Sequence, residues 1–123
     1  MWTSNKNAEV IARLLKAGSD VNAQDSSSRT ALMFAAKSNP SPEVITTLLI
    51  AGSNIEARDL LGHTPLMIAA GANQHPEVII AILKAGGDAK AKDKAGKTAF
   101  DYAKSNYSLI GTDAYRMLQE ASQ

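Results

Sequence analysis

Residues 60–70, "LLGHTPLMIAA", decide how this chain folds. Gly62 suits a tight turn, because glycine reaches positive φ without a steric penalty. Thr64 can cap a helix, its hydroxyl accepting a free backbone N–H of the first turn. Pro65 then occupies the first helical position, where its missing N–H costs nothing. Leu66, Ala69 and Ala70 have helical spacing, and paired alanines let a second helix approach closely. The spacing predicts a short helix that ends near Gly71.

The chain repeats this pattern. Thr30-Ala31-Leu32, Thr64-Pro65-Leu66 and Thr98-Ala99-Phe100 are separated by 34 residues. Ala17-Gly18, Ala51-Gly52 and Ala85-Gly86 keep the same spacing, as do Glu9, Glu43 and Glu77 with the valines after them. Asp25, Asp59 and Asp93 form another such set. A fixed period of this kind marks a stacked-repeat architecture.

After each short helix comes a loop, then a second helix opening at Pro42-Glu43 or Pro76-Glu77. Ser41 is placed to cap the former, His75 marks entry into the latter, and both glutamates favour the positive helix end. Val78, Ile79, Ile82 and Leu83 mark a buried face, and Gly86 stops the helix in a left-handed cap. About ten turn-prone residues follow, with Gly62 and Gly96 at the tight turn and Ser28 at the same place in the first copy. Neither helix buries its apolar face alone. Stacked units do, in a quasi-one-dimensional core.

These residues resemble ankyrin repeats: Thr64-Pro65-Leu66, Ala69-Ala70, Val78, Leu83, Ala85-Gly86 and "AGSDVNAQD" at 17–25. Tetratricopeptide repeats share the period but lack the Thr-Pro-Leu start and the Val-Asn-Ala finger. The loop style, "NPSPEVI" and "HPEVI", is similar to that of bacterial members. The resemblance implies an all-α solenoid of helix-turn-helix units joined by projecting β-turn or hairpin loops. It implies one domain over 1–123: a half repeat at 1–25, repeats at 26–59 and 60–93, and a capping repeat at 94–123. The family period is 33, so the extra residue is expected in the loop "KSNPSPE" or "GANQHPE".

The chain departs from the family after Thr-Pro-Leu, where histidine is usual. Met33, Met67 and Asp101 stand there, so the usual Thr–His bond is absent and the turn is expected to be less rigid. The two methionines are expected to pack between repeats. The first copy has almost no first helix. Either Trp2 covers the flank so exposed or the chain is cut from a longer array. In the last copy Thr112 or Asp113 caps a final helix that turns Ala114, Leu118 and Ala121 inward.

Composition narrows the chemistry. Of 123 residues 45% are hydrophobic but only 5% aromatic, so the core rests on Ala, Leu, Ile and Val. With no cysteine, disulfides and thiolate metal sites are excluded. The net charge of +1 points to neither nucleic acid nor membrane. No apolar run could span a bilayer, and the N-terminus has no signal-peptide core, so a cytoplasmic location is expected. His63 and His75 are expected at opposite ends of one helix, too far apart to share a metal. Ser26-Ser27-Ser28 lacks a nucleophile elbow and a base. Asp25, Asp59 and Asp93 occupy equivalent turn positions and are expected to bond turn backbone. No enzyme and no cofactor are expected.

What remains is a surface. In ankyrin repeats the fingers and inner helices form a concave, partner-holding face. By register that face carries Arg29, Lys37, Arg58, Leu60, Leu61, His63, Lys92, Lys94, Lys97 and Lys104, with Gln24, Ser26, Ser27 and Gly71. Leu60-Leu61 is either an apolar anchor or packing between fingers. The expected function is binding of a protein partner with an acidic surface, the chain itself being a monomer. The alternatives are nucleic-acid binding through the basic strip or service as the targeting part of a larger enzyme. The strip's lack of interleaved aromatics argues against nucleic acid.

Overall fold

Every inner helix begins at its threonine. The Thr30 hydroxyl accepts the Met33 N–H at 3.4 Å, Thr64 that of Met67 at 3.3 Å, and Thr98 that of Asp101 at 3.3 Å. The structure is a computed structural model and describes residues 21–38 and 41–123. The readings on Trp2, the Glu9-Val10 helix and the Gly18 stop lie outside those residues. The helices are α1 (Ala31–Ser38), α2 (Pro42–Ile50), α3 (Pro65–Ala72), α4 (Pro76–Lys84), α5 (Ala99–Ala103) and α6 (Asp113–Ala121). Among the described residues there is no strand.

The helices form two layers. In the inner layer α1 packs on α3 and α3 on α5. In the outer layer α2 packs on α4 and α4 on α6, and each inner helix packs on the outer helix that follows it. Helix α3 is covered on both sides, which is why its sequence is apolar almost all round. Leu32, Leu66, Val44, Ile45, Leu48, Val78, Ile79 and Ile82 are fully buried, with Ala36, Ala69, Ala70 and Ala103 filling the narrow gaps between helices. Met33 and Met67 are buried too. Leu109, Ala114 and Leu118 close the last unit, but Ala121 is exposed. The expected inward face of α6 therefore ends one turn early, at Leu118.

Thr112, not Asp113, caps α6, accepting the Tyr115 N–H at 3.3 Å. Ser41 caps α2 through the Glu43 N–H at 3.2 Å. His75 leads into α4 without a side-chain cap bond; the Asn73 carboxamide oxygen holds the His75 N–H at 2.8 Å instead. At Asp101 the expected loss of rigidity does not occur. Its carboxylate accepts both the N–H and the hydroxyl of Thr98, at 2.9 and 3.2 Å, completing a capping box.

Helix α3 ends at Ala72, one residue past Gly71 and near where the sequence places its end. The extra residue is accounted for here. Asn73 stands nine positions after Thr64, whereas Asn106 stands eight after Thr98. In the 60–93 unit the additional residue lies at the end of α3, inside the segment 71–77 where it is expected, but helical there.

Buried asparagines then link the units. Asn73 donates to the Ala36 carbonyl at 2.9 Å. Asn106 donates to the carbonyls of Ala70 and Asn73, each at 2.9 Å. Carbonyls at the end of one inner helix, which have no partner in their own helix, are thus bonded by the next repeat.

Candidate functional site

The fingers are built around the three periodic aspartates. Each carboxylate accepts two backbone N–H groups across its own turn: Asp25 from Ser27 and Arg29, Asp59 from Leu61 and His63, Asp93 from Ala95 and Lys97, at 2.8–3.0 Å. Each turn needs a left-handed residue, supplied by Ser28 (φ 64°), Gly62 (φ 82°) and Gly96 (φ 80°). Successive fingers join through backbone, Leu60 N–H to Ser27 O at 3.2 Å and Lys94 N–H to Leu61 O at 3.1 Å. This leaves the Leu60 and Leu61 side chains more than half exposed. It is their backbone, not their side chains, that couples the fingers.

Two further ladders cross the same face with the 34-residue period. Arg29, His63 and Lys97 stand at the finger ends, and Phe34, Ile68 and Tyr102 on the inner helices beside them. The Arg29 guanidinium lies over the Phe34 ring at 5.0 Å and also pairs with Asp25 at 3.2 Å. The Lys97 ammonium lies over Tyr102 at 5.6 Å. Lys104 lies over Phe100 at 5.2 Å and pairs with Asp101 at 3.6 Å. The strip therefore does have aromatic neighbours, contrary to the expectation from sequence. They were hidden because each ring lies five positions or so along the chain from its cation, or across one helical turn. Phe100 is also packed on Tyr115, so Lys104 belongs with the last helix pair.

His63 is held from three sides. Its Nδ1 is 3.1 Å from Asp59 Oδ2, and its Nε2 is 3.2 Å from the Tyr102 hydroxyl and 3.4 Å from Asp93 Oδ2. Its ring meets Tyr102 edge-on. Tyr102 itself donates to Asp93. The two aspartates face opposite ring nitrogens, and among the described residues no group of His, Asp and Glu is arranged to hold a metal ion. His63 works as a tie between two repeats, with about a quarter of its side chain still exposed.

Burial pushes the Asp93 carboxyl up, but the Tyr102 hydroxyl and the N–H groups of Lys97 and Ala95 outweigh it and hold it below the usual carboxylate range. Tyr102 is pushed from 10.0 up to about 12, by burial and then by its bond to Asp93 and the charge there. The raised value means that the folded state binds this proton more tightly than the unfolded one. That stability is complete below pH 10 and is lost as pH rises through about 12. In an alkaline titration followed by phenolate absorbance, one tyrosine is expected to ionise near pH 12, and Tyr102→Phe is expected to abolish that phase. A late phase that survives the substitution would refute the bond.

Arg58 is tied as well, donating to the carbonyls of Gly62 at 3.1 Å and Lys92 at 2.6 Å. Gln24, one repeat earlier, reaches the Ser28 carbonyl in the same way at 3.1 Å. The sequence-predicted set thus divides in two. Arg29, Arg58, His63 and Lys104 are engaged within the chain. Lys37, Lys92, Lys94 and Lys97 are exposed and have no ion pair among the described residues.

Between these groups lies a depression of about 210 Å³, lined by Lys37, His63, Met67, Ile68, Gly71, Ala72 and Tyr102. A finger residue and residues of three inner helices therefore share one surface. The residues missed from sequence are Ile68 and Tyr102. Their period was visible, but an apolar residue inside a helix reads first as core. Among the described residues no helix is long and apolar enough to cross a membrane.

A family model described as ankyrin repeats, in three copies, matches residues 1–93 and 32–120. No curated protein matches the chain.

Proposed function

From the premise that this chain belongs to the ankyrin repeat family, we propose that it is a non-enzymatic module that holds an acidic protein partner on its finger side. Members of the family are generally protein–protein interaction modules. The observation that carries the finer reading is the division of the charged residues. The aspartates of the fingers are consumed by their own turns. The lysines beside them, Lys37, Lys92, Lys94 and Lys97, remain exposed. The carboxylates of Asp59 and Asp93 keep their charge but are largely withdrawn from solvent, so the exposed charge beside them is mainly that of the lysines, which speeds encounter with a partner of opposite sign and sets its orientation. Leu60 and Leu61 supply exposed apolar area beside it. Neighbouring fingers already bond through backbone, so these side chains are available to a partner.

A photo-crosslinking side chain at Leu61 is expected to capture the partner, and one at Ile50, exposed at the end of α2, to capture nothing. With the captured protein, Lys92→Glu, Lys94→Glu and Lys97→Glu together are expected to weaken binding by about tenfold or more at low salt, chiefly through a slower association. Capture from Ile50 alone, or an association rate indifferent to salt and to the three reversals, would refute the reading.

A further inference from the structure

We infer that the depression between α1, α3 and α5 is the anchoring pocket for one apolar side chain of the partner, set in a segment whose neighbouring carboxylate meets Lys37. This rests on the finger-side reading and adds the chemistry of the segment. The space, about 210 Å³, is smaller than the roughly 300 Å³ at which small-molecule and cofactor pockets begin. It suits a side chain. Met67, Ile68 and Ala72 give it aliphatic walls, and its surface is mostly apolar.

Gly71 lets Tyr102 approach closely and so sets one wall. Glycine is a poor residue in a helix, yet it stands inside α3. A Cβ there would lie 3.3 Å from the Tyr102 Cβ, so a side chain at this position would push Tyr102, and with it one wall of the depression, out of place.

The rim fixes the sign of the partner. Lys37 stands on it with no ion pair among the described residues, and Lys97 lies over the Tyr102 ring at 5.6 Å. The other polar rim groups, His63 and Tyr102, are already bonded to Asp59 and Asp93. Those two carboxylates are in turn occupied by backbone N–H groups of their own turns. Asp59 and Asp93 keep their charge but are largely buried, so the exposed charge that a carboxylate beside the anchor meets on the rim is Lys37. A nucleic-acid base is a poorer fit, because the depression offers one tyrosine, itself tied to His63 and Asp93, where a strand stacks successive bases on several rings.

The test uses short fluorescein-labelled peptides with glutamate flanks and a central leucine or alanine, a lysine-flanked leucine peptide and a single-stranded oligouridine. The wild-type chain and the Ala72→Phe and Lys37→Glu variants are compared by anisotropy, with melting curves to show that each folds. The glutamate-flanked leucine peptide is expected to bind about tenfold tighter than its alanine counterpart. Ala72→Phe, which fills the space, is expected to erase that difference. Lys37→Glu is expected to weaken both glutamate peptides about fivefold. If leucine and alanine peptides bind alike while binding still fades with salt, the pocket is wrong and the acidic-partner face stands. If no glutamate peptide binds better than the lysine-flanked one, both fall. Oligouridine binding that equals the leucine peptide and is blocked by Ala72→Phe overturns the choice of occupant.

Discussion

Gly62→Ala is expected to destabilise the chain by about 2–4 kcal/mol, and Gly96→Ala by only about 1 kcal/mol. The two glycines have the same place in their fingers and nearly the same backbone, φ 82° and 80°. The left-handed conformation alone therefore penalises both alike, and Ser28 in the first finger shows that a side chain can endure it. The difference is outside the turn. A Cβ on Gly62 would sit 3.0 Å from the Lys94 nitrogen and 3.3 Å from the Asp93 Cα. Both are backbone atoms and cannot swing away. The next finger has to move, which opens the Lys94–Leu61 bond and disturbs the Arg58 bonds to Gly62 and Lys92. A Cβ on Gly96 would meet nothing within 4 Å. Urea unfolding of the two variants side by side checks this, and equal losses would refute the close approach of the fingers.

Asn106→Ala is expected to cost about 2–4 kcal/mol, because it strips partners from groups that water does not reach. Its carboxamide donates to two carbonyls and accepts the Ser108 N–H at 3.1 Å. Alanine leaves the two carbonyls without their bond at a site where Ala70, Asn73 and Asn106 are all buried, whereas Ser108 is exposed. Asn106→Asp is the informative comparison. It keeps the acceptor for Ser108 but turns a carboxylate oxygen toward the Ala70 and Asn73 carbonyls, so it is expected to be at least as damaging as alanine. If aspartate were tolerated in thermal unfolding at neutral pH, the bonds from Asn106 to the preceding repeat would not be what holds the last unit in place.

Much of the architecture was legible in the sequence. Thr30, Thr64 and Thr98, the aspartates of the fingers and the glycines of the turns act locally, over three or four residues of chain. Their roles can be read wherever the local pattern is intact. The period of 34 extended those roles to the whole stack, since every unit must meet its neighbours in the same way. The position of the extra residue was harder. The end of α3 and a loop have similar composition, and the decision belongs to Asn73 and Asn106, whose targets lie in another repeat.

The candidate surface was legible only as a list of side chains facing one way. From sequence, Arg58, His63 and Lys97 are three equal basic contacts. In the fold Arg58 holds two carbonyls, His63 ties Asp59 to Tyr102 and Asp93, and Lys97 stays exposed over a ring. The deciding contacts, Arg58 to Lys92 and His63 to Asp93 and Tyr102, lie in the next repeat, which no local pattern encodes.

The sequence by itself determined the unit: where each helix starts, which residues make the turn and how often the unit recurs. Those properties follow from backbone sterics, capping and periodicity within one repeat. Only the tertiary structure decided which charges are used up, which glycine cannot be replaced, and where the inner helices leave a space. These depend on distances between repeats, and a fraction of an ångström at Gly62 or Gly71 separates a contact from a clash.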